Sequence, residues 1–266
     1  MDPKNFRNIS TGAKAIKIIA FGEWHAFKQN KGLLLSMAME PLITYGLLVL
    51  SLNTSLGQVK IDNVTVLYKQ YALTGILTFF MTTQMSQAMY RATIDKEYGL
   101  LALKFLNGIQ PWHYLVGMNC FPIIGLLFQC FILLLLGLVS EGIYKVSLFL
   151  LAILVVIVSL GFWTSLGILL STKITTYEKR DVVMTLIFSP VSYAAPTLYV
   201  FSDDLPLIVR ILTMINPLTY QLQAIRTVAF GSFDVTVLII DFLLTLGMMF
   251  IAQCVLCKIP LKLSTR

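Results

Sequence analysis

The residues able to carry chemistry are few, and most stand in apolar surroundings. Cys254-x-x-Cys257 has the spacing of a metal or redox pair, yet neither a second pair nor a nearby histidine accompanies it, so apolar filling or acylation is the better reading. His25 and His113 are the only histidines, no HExxH or comparable ligand set exists, and no metal is expected. None of the 16 glycines is followed by Lys, so the chain has no Walker-type phosphate loop, and it has no G-x-S-x-G nucleophile elbow. Two acids fall inside apolar runs. Glu40, followed by Pro41, is a functional candidate by default because a carboxylate in hydrocarbon is expensive. It lies about 12 Å from the inner end of its run at 1.5 Å per residue. There it is within reach of a neighbouring helix or water, and a protonated or hydrogen-bonded packing role competes with a functional one. Asp241 lies towards the other end of its own run, so the two acids are not expected to form a proton-relay pair.

The elements that must hold these residues are membrane helices. The 266 residues are 57% hydrophobic with a mean hydropathy of +0.81, and 12% are charged, against about 25% in an average soluble domain. Six apolar runs, roughly 33–51, 70–90, 113–139, 146–171, 182–200 and 235–256, approach or exceed the about 20 residues that a helical crossing requires. Little chain remains for a soluble domain, so residues 1–266 read as one transmembrane unit. The first 30 residues are studded with Lys and Arg and lack a compact apolar stretch, so no cleavable signal peptide is expected.

Lys and Arg concentrate in short cytoplasmic segments. With both termini inside, 15 of the 20 basic residues fall on the inner side, leaving Lys60, Lys69, Lys145, Arg210 and Arg226 outside. The net charge of +7 then reflects topology and anionic lipid rather than nucleic acid. Residues 11–31 place Ile16, Ile19, Ala20, Trp24 and Phe27 at steps of three and four among lysines, the pattern of a helix lying on the inner membrane surface.

The second run is unusually polar. Tyr71, Gly75, Thr78, Thr82 and Ser86 share one stripe, with Thr83, Gln87 and Tyr90 beside it and Gln84 in addition. Thr and Ser read best as helix packing, whereas Gln84 and Gln87 divide evenly between packing and a translocation path. In the fourth run Ser159, Gly161, Ser165 and Gly167 permit close helix approach. Residues 201–233 are too apolar for a bare loop. They hold two short helical patterns broken at Asn216-Pro217, which fit two re-entrant helices at the outer surface.

One further stretch, "DKEYGLLALKFLNG" at 95–108, is a small charged helix between apolar runs, on the inner side by the charge count. Tyr98, Leu101, Ala102, Phe105 and Ile109 are expected on one apolar face, and Asn107-Gly108 with Pro111 should stop it. A chain without a nucleotide site works on a substrate only with energy from an ion gradient or from another chain, and this stretch offers a surface on which another chain can dock.

Three segments resemble the permease subunits of the ABC type-two exporter family. These are the cytoplasmic stretch "DKEYGLLALKFLNGIQPWHYLVG", in which Glu97 and Gly99 match an acidic-x-Gly pair; "LPLIVRILTMINPLTYQLQAIR", in which Pro206, Asn216, Pro217, Tyr220 and Arg226 match; and the N-terminal helix leading to "MEPLITYGL". Gly108, Met118 and Gln223 depart from the family's usual residues. The resemblance implies an all-α protein with six transmembrane helices, an interfacial helix at 11–31, a coupling helix at 92–112 and outer re-entrant helices at 201–233. It implies a pore made with a second permease subunit, in a homodimer or heterodimer, and driven by soluble ABC ATPase subunits that hold ATP and Mg. No catalytic residue and no cofactor is expected on this chain. Asp95, Glu97, Tyr98, Gly99, Leu103 and Phe105 are expected to dock the motor, and Gln84, Gln87, Tyr193 and Glu40 to face the path. The expected activity is export of an amphiphile such as a drug, antibiotic, peptide or lipid-like molecule from the cell. The alternatives are a polysaccharide or glycolipid exporter of the same family, a proton-driven transporter using Glu40, and a non-transporting immunity or scaffold protein.

Overall fold

The computed structural model describes residues 11–61, 64–174, 176–202 and 205–259. Lys4, Arg7, Lys262 and Arg266 of the charge count lie outside the described residues.

The chain opens with α1 (Lys14–Gln29) and then α2 (Lys31–Pro41), which starts where the Asn30 side chain accepts from the Leu33 amide. Pro41 has no amide to donate, and directly after it the helix widens into a π-helical segment, Leu42–Val49, before closing as α3 (Leu50–Leu56). A short antiparallel hairpin follows, β1 (Gln58–Ile61) paired with β2 (Val64–Leu67), so the structure is not purely helical. Alternation buries Val59 opposite Val66 in this hairpin.

The fold is organised around α4 (Tyr68–Glu97), 30 residues and about 45 Å long. The other elements are α5 (Leu100–Leu106), α6 (Pro111–Met118), α7 (Cys120–Val139), α8 (Val146–Ser171), α9 (Tyr177–Val183), α10 (Ser189–Ala194), α11 (Leu207–Ile215), α12 (Pro217–Ala229) and α13 (Val235–Lys258). Four helical stretches are long and apolar enough to cross a membrane among the described residues: Lys31–Leu56, Pro111–Val139, Val146–Ser171 and Val235–Lys258.

The two other expected runs differ from those four in character. The run at 70–90 lies within α4, which packs against α7, α8 and α12 while Tyr71, Gly75 and Thr82 of its polar stripe meet residues between Ser192 and Tyr199. Thr74, Thr78 and Thr82 donate to the carbonyls of Tyr71, Gly75 and Phe79 at 2.7, 2.6 and 2.9 Å. Their hydroxyl donors are thereby satisfied within the helix, and Thr74 and Thr82 also accept from Arg226 and Ser192, which fits a packing role. The run at 182–200 falls on a helix that begins earlier, at Tyr177, and ends at Ala194. The residue before a proline is pushed out of the helical region, and Ala195, before Pro196, is extended at φ −73°, ψ 144°. Between α9 and α10 lies a second π segment, Met184–Phe188, just before Pro190.

Close helix approach follows from glycine. A Cβ on Gly167 of α8 would stand 2.8 Å from the Met85 carbonyl of α4, and one on Gly161 would meet Thr245 of α13 at 3.1 Å. One buried apolar cluster joins Ala15 and Ile19 of α1 to Leu101 and Phe105 of α5, Tyr114 and Leu115 of α6, and Leu256 of α13. The N-terminal helix is therefore built into the bundle along one face. That face is Ala15, Ile19, Glu23 and Phe27, while Ile18, Phe21 and Trp24 are exposed. The expected apolar stripe is thus divided, with Ile19 and Phe27 against protein and Trp24 outside.

Candidate functional site

The turn between α4 and α5 is made by Gly99, at φ +71°, a conformation natural to glycine. Amides of Tyr98 and Gly99 close α4 by donating to the carbonyls of Ile94 and Lys96. Gly108, at φ +83°, ends α5, and its carbonyl accepts from the Thr11 amide and hydroxyl at 3.1 and 3.2 Å, pinning the start of α1 to this turn. The expected helix at 92–112 is thus three pieces: the last turn of α4, the seven residues of α5, and the start of α6.

The six residues expected to dock a motor divide by environment. Asp95 is buried and accepts from Lys104 Nζ at 2.5 Å and from the Tyr114 hydroxyl at 2.8 Å. Phe105 is buried with its ring edge-on to Tyr114 at 5.8 Å. Asp95 and Phe105 hold the turn, and Gly99 shapes it. Tyr98 and Leu103 are exposed, joined by Leu100, with Glu97 half-buried beside them. Tyr98 therefore does not belong to the buried face of Leu101, Ala102, Phe105 and Ile109, because the turn at Gly99 breaks the helical phase between them.

Just before this turn, Arg91 of α4 forms a two-point ion pair with Glu23 of α1. Nε donates to Oε2 at 2.8 Å and a terminal nitrogen donates to Oε1 at 2.7 Å. Burial pulls the Arg91 pKa down, but the Glu23 hydrogen bond and charge, with Asp95 adding to them, leave it above the usual arginine value. Lys96 reaches the C-terminal end of α8, donating to the carbonyl of Thr172 at 2.6 Å, where the helix dipole favours a cation.

A second candidate region lies between α2, α4 and the helix running from the second π segment into α10. Glu40 Oε1 accepts from the Thr83 hydroxyl at 2.8 Å, and Oε2 accepts from Gln129 Nε2 of α7 at 2.7 Å. Gln129 Oε1 in turn accepts from Gln84 Nε2 at 2.8 Å. Glu40 also borders a cleft of about 340 Å³, lined by Phe79, Thr82, Thr83, Ser86, Met184, Phe188, Ser189, Ser192 and Tyr193. Tyr193 stands exposed at its mouth, with its ring edge-on to Phe79 at 5.7 Å.

Of the four expected path residues, the structure therefore brings Glu40 and Tyr193 to one cleft. It places Gln84 behind, fully buried in the chain of amides, with Gly125 leaving the space that Gln84 fills. Gln87 is half-buried and does not line the cleft. Gln129 was missed by sequence reasoning, although a lone glutamine in "GLLFQCFILLLL" is a signal that a partner is required. Asp241 accepts from Ser159 at 2.8 Å, in a contact separate from Glu40.

The third region is the helical pair after residue 205. Pro206 caps α11. Asn216 caps α12: its side-chain oxygen accepts from the Leu218 amide at 3.0 Å, its Nδ2 donates to the Val191 carbonyl at 2.6 Å, and Pro217 takes the first helical position. The Tyr220 hydroxyl reaches back to the Met214 carbonyl at 2.8 Å. Arg226 is buried, donating to Thr74 of α4 and to the carbonyls of Pro196 and Thr197, with its guanidinium 3.8 Å from the Tyr71 ring centroid. The expected helix–break–helix is present, and its marked residues are its caps and ties.

Cys254 and Cys257 are free thiols, and no metal-binding group of three or more ligands occurs among the described residues. No curated protein matches the chain. A family model described as ABC-2 type transporter matches residues 14–230, from the first turn of α1 to the end of α12. With helices able to cross a membrane and a match over most of its length, the chain belongs to the ABC-2 type transporter family, as a membrane permease subunit.

Proposed function

We propose that this permease is the membrane half of an ATP-driven exporter of amphiphilic molecules, with a separate ABC ATPase as its motor and a second permease subunit completing the pore. In this reading six segments cross the membrane, both termini are cytoplasmic, ATP and Mg bind on the motor, and α11 and α12 re-enter from the outer side. The observation that carries it is the exposed apolar group Tyr98, Leu100 and Leu103, with Glu97, on a turn held rigid from inside by Asp95, Lys104 and Tyr114. A docking surface needs apolar contact on a stiff support, because a loose one loses its affinity to ordering. The sequence has no Walker loop, so an ATP-driven reading requires the motor to be on another chain.

The test is to purify the chain alone and with a candidate ABC ATPase subunit from the same source. The chain alone should not hydrolyse ATP, and the pair should co-elute and export. Glu97→Lys should separate hydrolysis from export while the protein still inserts. Hydrolysis by the chain alone, failure of the two to associate, or normal coupling in the Glu97→Lys variant would each count against the proposal.

A further inference from the structure

We propose that the cleft beside Glu40 is a subsite for organic cations, so that the transported amphiphile carries an ammonium-like charge next to an apolar body. This rests on the export reading for its physiological meaning, but the binding itself does not.

Both oxygens of Glu40 accept hydrogen bonds, from Thr83 at 2.8 Å and from Gln129 at 2.7 Å, and donors placed in this way favour the carboxylate form that a cation would need. Its polar partners are neutral. The three ion pairs among the described residues join Arg91 to Glu23, Lys104 to Asp95 and Arg180 to Asp181, and none of them involves Glu40. A carboxyl group in an apolar span is therefore oriented by the protein with no cation of this chain paired to it, and a ligand cation entering the cleft would stabilise its charged form. Gln129 is itself fixed by Gln84, so the orientation is inherited from a buried chain of amides and does not depend on solvent.

The walls match the rest of such a ligand. Phe79, Phe188 and Tyr193 supply ring faces and edges, Met184 supplies a deformable thioether, and Thr83 and Ser86 supply hydroxyls. Aromatic rings around a carboxylate favour quaternary and bulky cations, because the charge is attracted to both while the ligand's carbon is buried. At about 340 Å³ the space lies at the small end of the range for ligand pockets. It suits a head group with its nearest rings, leaving a tail to lie outside past Tyr193, which is 68% exposed. The backbone is irregular on two sides of the cleft: a π segment begins after Pro41, next to Glu40, and another supplies Met184 and Phe188. Such widened turns recur where a helix must aim side chains at a ligand.

The experiment uses the full chain in lipid nanodiscs and two probes of nearly equal shape and opposite charge, tetraphenylphosphonium and tetraphenylborate. Equilibrium dialysis against empty nanodiscs should show saturable retention of the cation and none of the borate. Glu40→Gln should weaken retention of the cation at least about tenfold, the scale expected on removing one member of a desolvated charge pair. Ser86→Lys leaves Glu40 and its donors in place but puts a fixed positive charge in the cleft, and should abolish cation binding while the protein elutes as a single folded species. Equal binding of the two probes by the wild-type chain, or cation affinity in both variants within about twofold of wild type, a change too small for loss of such a contact, would overturn the proposal. Because no ATPase is present, failure here would leave the motor-docking reading intact, and failure of ATPase association would leave a positive cation result intact.

Discussion

The ion pair between Glu23 and Arg91 lends itself to a quantitative test, because it ties the N-terminal helix to α4 a few residues before the docking turn. Glu23 is 3% exposed, the Arg91 side chain is 24% exposed, and both bonds are of full charge-assisted length at 2.7 and 2.8 Å. Removing one member of a buried pair is destabilising by about 3–5 kcal/mol, because the other is left charged and unpaired. The partial exposure of Arg91 lets water reach the stranded guanidinium, so the lower figure, about 3 kcal/mol, applies to Glu23→Leu. At 1.36 kcal/mol per factor of ten this is roughly a hundredfold increase in local opening of α1. Replacing both charges at once, as Glu23→Leu with Arg91→Met, strands neither group and should recover most of the loss. Hydrogen exchange of the α1 amides in nanodiscs reads this directly. The single variant should lose roughly a hundredfold in protection while the double variant stays within about tenfold of wild type. If the single variant keeps its protection, or the double variant loses as much as the single, the pair is not what seats α1.

Two further outcomes test the packing around the sites. Gly167→Ala should destabilise the bundle by about 1–3 kcal/mol, as overpacking does, since its new methyl meets the Met85 carbonyl at 2.8 Å, whereas Gly247→Ala, where nothing lies within 4 Å, should not. Thermal unfolding in detergent compares the two. Asn216→Ala should lower the thermal midpoint through loss of a helix cap worth about 1 kcal/mol, and further through the unpaired Val191 carbonyl. Asn216→Asp, which keeps the acceptor for Leu218 but loses the donor to Val191, should fall between Ala and wild type.

The features that were legible in the sequence are those set by local chemistry. Long apolar runs gave helices at Pro111–Val139, Val146–Ser171 and Val235–Lys258 close to where hydropathy puts them. Asn216-Pro217 marks a helix start because an Asx cap and a proline at the first position work within three residues. Gly108 marks a helix end for the same local reason. Features that depend on a partner far along the chain were not legible. Glu23 reads as one more charge on a lysine-rich surface helix, and only Arg91, 68 residues later, explains why it points inward. Tyr98 falls on the apolar face of a continuous helix, but the left-handed turn at Gly99 rotates it out of phase and into solvent. The hairpin at Gln58–Leu67 escaped for another reason: four-residue strands between long apolar runs leave almost no periodicity to read.

The polar residues of α4 show the two cases side by side on one helix. Thr74, Thr78 and Thr82 donate to their own backbone three residues back, so their donors are satisfied at home even though Thr74 and Thr82 also accept from Arg226 and Ser192. Gln84 cannot do this with its amide held away from the backbone, and its bond goes to Gln129 and through it to Glu40. A glutamine buried in an apolar helix therefore requires a polar partner on another helix, whereas a buried threonine can satisfy its donor on its own backbone. Applied to the remaining helices, the rule picks out Gln221, which accepts from the Trp163 indole at 2.5 Å and links α12 to α8. The same physics that makes these amides expensive to bury makes them long-range signals, and two of them, Gln84 and Gln129, lead to the one carboxylate that borders the cleft.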